Sequence, residues 1–165
     1  MKQNAKELET IYRQHASAVY RFAWGLCGNQ DEAEDLVSET FVRLLIRAPR
    51  IRTRTALAYL LAIARNTYLT RLRKTAREVP MADKEFSAPE SSPVQWLDQR
   101  ARLELTLREL HKLPEGDRTA LLLRVDHNLP YDDIASTLGI SVGAAKVRVH
   151  RARARLSSVV KSQGD

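Results

Sequence analysis

A chain of 165 residues and 18.8 kDa has the length of one large domain or two small ones, which leaves no room for a large barrel or a doubly wound sheet. An apolar share of 44% with 6% aromatic and 28% charged residues excludes both a membrane protein and a wholly disordered chain. The 27 Lys and Arg against 20 acids, a net +7, point to a polyanionic partner such as nucleic acid or an anionic membrane. The charge is divided into blocks. Residues 1–39 hold four basic and seven acidic groups, residues 40–77 ten basic and no acidic ones, residues 78–97 one basic and four acidic, and residues 141–161 six basic and none acidic.

Leu8, Ile11, Tyr12, Val19, Phe22 and Leu26 recur at helical steps and predict a first helix that ends near Gly28. Asn29 with Glu32 three positions later has the form of a capping box and predicts the start of a second. The stripe of that helix is Ala33, Leu36, Val37, Thr40, Phe41 and Leu44; its first half is loaded with acids that suit a helix N-terminus, and Pro49 ends it. After the arginine-rich connection 50–54, a third helix to about Arg77 follows from Leu57, Leu60, Leu61, Ala64, Tyr68 and Leu72, with Asn66, Thr70, Arg73 and Arg77 on the opposite face.

The segment from Glu78 onward carries Pro80, Pro89, Pro93 and three serines without helical period, and is read as a flexible linker over residues 78–97. Leu97, Leu103, Leu107 and Leu110 predict a fourth helix, and Leu113-Pro114-Glu115 opens a fifth through Val125. Tyr131 to Leu156 has the layout of a helix-turn-helix. Pro130 precedes a short helix with Ile134, Ala135 and Leu138 inward, Gly139 supplies the turn, and Ser141 caps the next helix, whose narrow stripe is Val142, Ala145, Val149, Ala152 and Leu156. No strand alternation appears. The fold class expected is all-α, with two small helical domains, 1–77 and 98–165, joined by the linker.

The last helix suits a major groove on the face opposite its stripe. Gly143 and Ala144 permit close approach, Val147 matches a thymine methyl, and Arg148, Arg151 and Arg155 read guanine edges or hold phosphates. Arg151 lies nearly opposite the stripe, where a base contact is expected, and Arg148 toward the flank, where a phosphate contact is expected. With Ser141 and Lys146 these residues are the expected duplex-binding set.

The chain resembles the extracytoplasmic-function (ECF) class of bacterial sigma factors. The resemblance is carried by the run from Asp31 to Leu44, by Tyr59-Leu60-Leu61-Ala62-Ile63-Ala64-Arg65-Asn66, by Leu113-Pro114-Glu115-Gly116-Asp117-Arg118, by Tyr131-Asp132-Asp133-Ile134-Ala135, and by Lys146, Arg148 and His150-Arg151-Ala152-Arg153. Order and spacing match the family's regions 2 and 4. Ser38 stands where Gln is usual, Tyr59 for Trp, Thr70 for Asp, Ala144-Ala145 for Thr-Val and Val147 for Ser, so the promoter sequence is not carried over from any relative.

The resemblance implies a protein that binds RNA polymerase core through its β′ and β subunits and directs initiation at promoters. The acidic second helix would dock on the β′ clamp coiled coil through Asp35, Leu36, Ser38, Glu39 and Phe41. The third helix would melt and bind the −10 element, with Asn66 at a flipped base and Arg65, Arg71, Arg73, Lys74 and Arg77 on the strand's phosphates. The last helix would read the −35 duplex. An anti-sigma factor encoded elsewhere is a further candidate partner.

No small-molecule substrate, metal or cofactor is expected. The four histidines lack metal-ligand spacing, and no Gly-rich phosphate loop, GxSxG or HExxH occurs, so an enzyme is not expected. A single cysteine, Cys27, and a polar start without a signal-peptide core predict a cytoplasmic protein without membrane insertion. The competing reading is an operator-binding helix-turn-helix regulator that does not engage polymerase.

Overall fold

The computed structural model describes residues 2–46, 55–78 and 97–162. Its elements are α1 (Lys2–Cys27), α2 (Gln30–Ile46), α3 (Ala56–Glu78), α4 (Leu97–Lys112), α5 (Glu115–Val125), α6 (Tyr131–Leu138) and α7 (Val142–Ser162). The described residues are all-α, as expected. Pro49, the connection 50–54 and positions 79–96 of the expected linker lie outside them; Glu78 and Leu97, its two ends, belong to α3 and α4.

Local chemistry sets most of the boundaries. Gly28 takes a left-handed φ of 68° at the end of α1. The Asn29 Oδ1 accepts from the Glu32 backbone N–H at 3.0 Å, which satisfies one of the free donors at the start of α2. Thr55 does the same for α3, accepting from the N–H of Ala58 at 3.1 Å. The turn between α6 and α7 uses Gly139 at φ 65°, and Ser141 Oγ accepts from Ala144 N–H at 3.1 Å.

Helices α1, α2 and α3 form one bundle and α4 to α7 a second. The first closes on Val19, Phe22, Leu26, Leu36, Leu60 and Leu61, and the second on Leu110, Leu123, Ile134, Val149 and Ala152. The bundles lie against each other, and a single apolar core runs through both. Gly25 of α1 faces Leu122 of α5 so closely that an added Cβ would lie 2.9 Å from its Cδ1. Phe22 meets His127 edge-on at 5.8 Å between ring centres, and Arg21 reaches Asp126 at 3.6 Å.

Polar contacts cross the same boundary. Arg65 of α3 forks onto Glu115 of α5, with Nε to Oε1 at 2.9 Å and Nη2 to Oε2 at 3.0 Å, while its Nη1 donates to the Thr137 carbonyl at 3.2 Å. The buried Arg118 donates to Tyr68 Oη at 3.1 Å and to the carbonyls of His111 and Leu113. Fork geometry and partial burial make the first of these worth more than an exposed ion pair.

Candidate nucleic-acid interface

Of the six α3 residues that the resemblance assigns to the −10 strand, four lie at the surface. Asn66, Arg73, Lys74 and Arg77 are exposed, and Thr70, Arg73, Lys74 and Arg77 line an open groove of about 350 Å³. No acid among the described residues of α3 before Glu78 offsets them.

The other two arginines of that set are engaged. Arg65 is only 11% exposed in its fork with Glu115, so in this arrangement it does not meet a ligand. Burial pushes the Glu115 carboxyl up, but hydrogen bonds from Arg65 and Thr119 outweigh it and hold it below the usual range. Arg71 donates through Nε and Nη2 to Glu39 Oε2, at 3.1 and 2.6 Å, and Arg43 occupies Glu39 Oε1. Here too burial raises and the two arginines lower, and the net direction is down.

The expected docking surface on α2 is corrected in two places. Leu36 is fully buried and Phe41 nearly so, with the Phe41 ring 4.8 Å from that of Tyr12; both support the surface from beneath. Asp35 and Ser38 are exposed and Glu39 half-buried. The apolar groups this end of α2 does present are Val42, Leu45 and Ile46, the last 79% exposed. They are missing from the sequence reading because an i, i+3, i+4 stripe marks what faces the core, and these three fall outside it.

On α7 the middle of the stripe packs as read, with Ala145, Val149 and Ala152 buried; Leu156 is only partly buried, and Val142, in the first turn, is exposed because no neighbouring helix among the described residues covers that end. Gly143, Lys146, Val147 and Arg155 are exposed, Ser141 caps the helix from its outer end, and Ala144 is half-buried. Lys146 and Arg124 both lie over the Tyr131 ring, at 5.7 and 4.5 Å from its centre. Arg151 forks onto Asp117 of α5, Nε to Oδ2 at 2.8 Å and Nη2 to Oδ1 at 2.7 Å, and Arg148 approaches the same Oδ1 at 3.5 Å. Hydrogen bonding from Arg151, against an opposing effect of burial, lowers the Asp117 carboxyl. Gly116 makes room for this: a Cβ there would lie 2.0 Å from Arg148 Nη1.

Sequence reading missed Glu115 and Asp117 as arginine partners. They sit in the quoted Leu113–Arg118 motif, but their partners lie 50 and 34 residues away, a distance at which spacing carries no signal.

Two helical bundles, each presenting a basic helix face and one holding a helix-turn-helix, define a two-module nucleic-acid-binding protein. Residues 11–78 match the family described as Sigma-70 region 2, and residues 103–156 that described as Sigma-70, region 4. The chain is 38% identical over 147 residues to the ECF RNA polymerase sigma factor EcfG of Rhodopseudomonas palustris, covering 87% of this chain and 79% of the relative. It is 34% identical over 153 residues to the ECF sigma factor SigE of Mycolicibacterium smegmatis, spanning 90% of this chain and 59% of that protein. Among solved structures, the sigma factor RpoE of Bartonella quintana, in complex with the anti-sigma factor NepR, superimposes with a TM-score of 0.73 at 26% identity over 98% of both chains. CnrH, in complex with the cytosolic domain of CnrY, shares the fold with a TM-score of 0.68 at 24% identity, over 96% of this chain and 90% of that one. The chain belongs to the ECF family of RNA polymerase sigma factors.

Proposed function

We propose that this chain binds RNA polymerase core and directs promoter-specific initiation, with residues 1–77 acting as region 2, 78–97 as linker and 98–165 as region 4. The observation that carries it is a pair of basic, exposed helix faces, on α3 and α7, lying one in each matched region. One protein with a duplex reader and a separate basic groove has the parts to locate a promoter and hold a strand as it opens.

In this reading the −35 element is read by α7, through Gly143, Ala144, Lys146, Val147, Arg148, Arg151 and Arg155 at the end capped by Ser141. The −10 strand is held by Asn66, Arg73, Lys74 and Arg77, joined by Arg65 and Arg71 once their carboxylates release them. Core docks on α2, where Asp35 and Glu39 steer the encounter, Ser38 offers a hydroxyl to hydrogen-bond, and Val42, Leu45 and Ile46 bury apolar surface over Phe41. The protein acts in the cytoplasm as a polymerase subunit and not as an enzyme; among the described residues no helix is long and apolar enough to cross a membrane. An anti-sigma factor is proposed as a third partner, supported by the overlay along 98% of its length with a sigma factor held by one.

Co-purification with polymerase core in the absence of DNA tests the reading directly. An operator-binding regulator binds DNA without core, so failure to bind core, with retained DNA binding, overturns it.

A further inference from the structure

We propose that Asp117 is a specificity-determining residue of the −35 reader: it fixes the Arg151 guanidinium so that its free edge addresses a single guanine. The inference rests on the reading of α7 as the duplex-binding helix.

A guanidinium has five N–H donors in a rigid plane. Asp117 takes two of them, the Nε–H and one Nη2–H, along one side of the fork. Three remain, both on Nη1 and one on Nη2, and the Nη1–Nη2 edge presents the parallel pair that fits the O6 and N7 acceptors of guanine in the major groove. The geometry leaves that edge available, since the Arg151 side chain is 59% exposed despite its fork. Gly143, Val147 and Arg151 follow one another at steps of four along α7, so the free edge shares a face with two small or apolar exposed side chains that permit close approach.

The carboxylate is well placed to impose this orientation. Asp117 is 3% exposed in its side chain and lies on α5, which packs against α7, so it comes from a fixed element and not from a mobile surface chain. An arginine on an exposed helix otherwise samples many rotamers, and ordering it on contact with DNA opposes binding by the entropy lost. Holding it in advance makes the end-on guanine contact cheap and every other approach poor, which converts a general attraction for phosphate into preference for one base pair. Asp117 also places a negative charge beside Arg148 and Arg151, which lowers their non-directional pull on phosphate.

The test uses the full chain assembled with polymerase core and a panel of duplex promoters varied one pair at a time across the −35 element, at two salt concentrations. Wild type is expected to prefer guanine at one pair by about tenfold or more, and Arg151→Ala to abolish that preference. Asp117→Asn is expected to lose most of the preference at that same pair and at no other. Asp117→Glu, which keeps the charge but moves the guanidinium by about one methylene, is expected to reduce the preference in part with overall affinity near wild type; it covers the case in which the asparagine variant does not fold. In an Arg151→Ala background neither change at Asp117 should alter the profile further.

Retention of the full preference by both Asp117 variants, with Arg151→Ala abolishing it, overturns the inference and leaves the −35 reading standing. So does an equal loss at all pairs, which would make Asp117 a tether between α5 and α7 only. A wild-type profile that is flat across the element overturns the −35 reading and the inference with it.

Discussion

Arg118 is buried in the second bundle, and it works through carbonyls and a phenol. Its donors bind the His111 carbonyl in the last turn of α4, the Leu113 carbonyl just beyond it and the Tyr68 hydroxyl of α3, so one side chain closes the α4–α5 corner and anchors it to the other bundle. Arg118→Met leaves those acceptors without a donor in a buried place and is expected to destabilise the chain by about 2–4 kcal/mol, read from urea unfolding. The same cation affects His111. Burial first, and then the Arg118 charge, push the His111 imidazole down to about 4 from its usual 6.5. Above pH 6.5 both folded and unfolded chains hold it neutral and its contribution is complete. As pH falls from about 6.5 toward 4 the unfolded chain takes up the proton first, so stability is lost across that window. His111→Gln is expected to flatten the melting-temperature profile there, by on the order of 1–2 kcal/mol after allowance for the ring's partial exposure. Glu39, Glu115 and Asp117, all lowered, lose their contributions at more acidic pH, which keeps the two effects separable.

At the scale of the element, caps and turns carry the boundaries. Asn29→Ala removes the acceptor for the Glu32 N–H and is expected to cost about 1 kcal/mol, with α2 fraying from its acidic end in hydrogen exchange. Gly139→Ala meets no atom within 4 Å, so its cost is conformational alone: about 1–2 kcal/mol for a side chain at φ 65°, measured by chemical denaturation. These positions were readable from sequence because they obey rules that span three or four residues. The stripes of α1, α2, α3 and α7 were readable for the same reason. Where reading failed, a longer-range fact decided. Leu103 continues the α4 pattern yet is half exposed, and Tyr12 continues that of α1 yet lies at the surface against Phe41. A period tells which way a residue points, and not whether a neighbouring helix arrives to cover it. The arginines show the limit most clearly. The resemblance marked Arg65 and Arg71, and the free face of α7 marked Arg151, as cations for DNA, and no local pattern marked Glu115, Glu39 and Asp117 as their holders.

At the scale of the molecule, the two bundles meet through Gly25 against Leu122, Phe22 against His127, and the Arg65–Glu115 fork. Glu115→Gln weakens the fork, and Gly25→Val forces atoms into Leu122; each is expected to raise the radius of gyration in solution scattering and to speed capture of a single-stranded −10 oligonucleotide. Unchanged scattering and capture in the double variant would show that the fork does not hold the bundles together. Glu115 and Asp117 sit two residues apart, about 200° around α5, so one turn grips an arginine of the other bundle and an arginine of its own. Parting the bundles releases the first grip and leaves the second intact, because α5 and α7 travel together. Under the proposed function, a promoter is therefore expected to meet a duplex reader that is already set and a strand reader that gains Arg65 only once the bundles part. The order expected from that arrangement is address before opening, with a chain still folded on itself inspecting DNA without prising it apart.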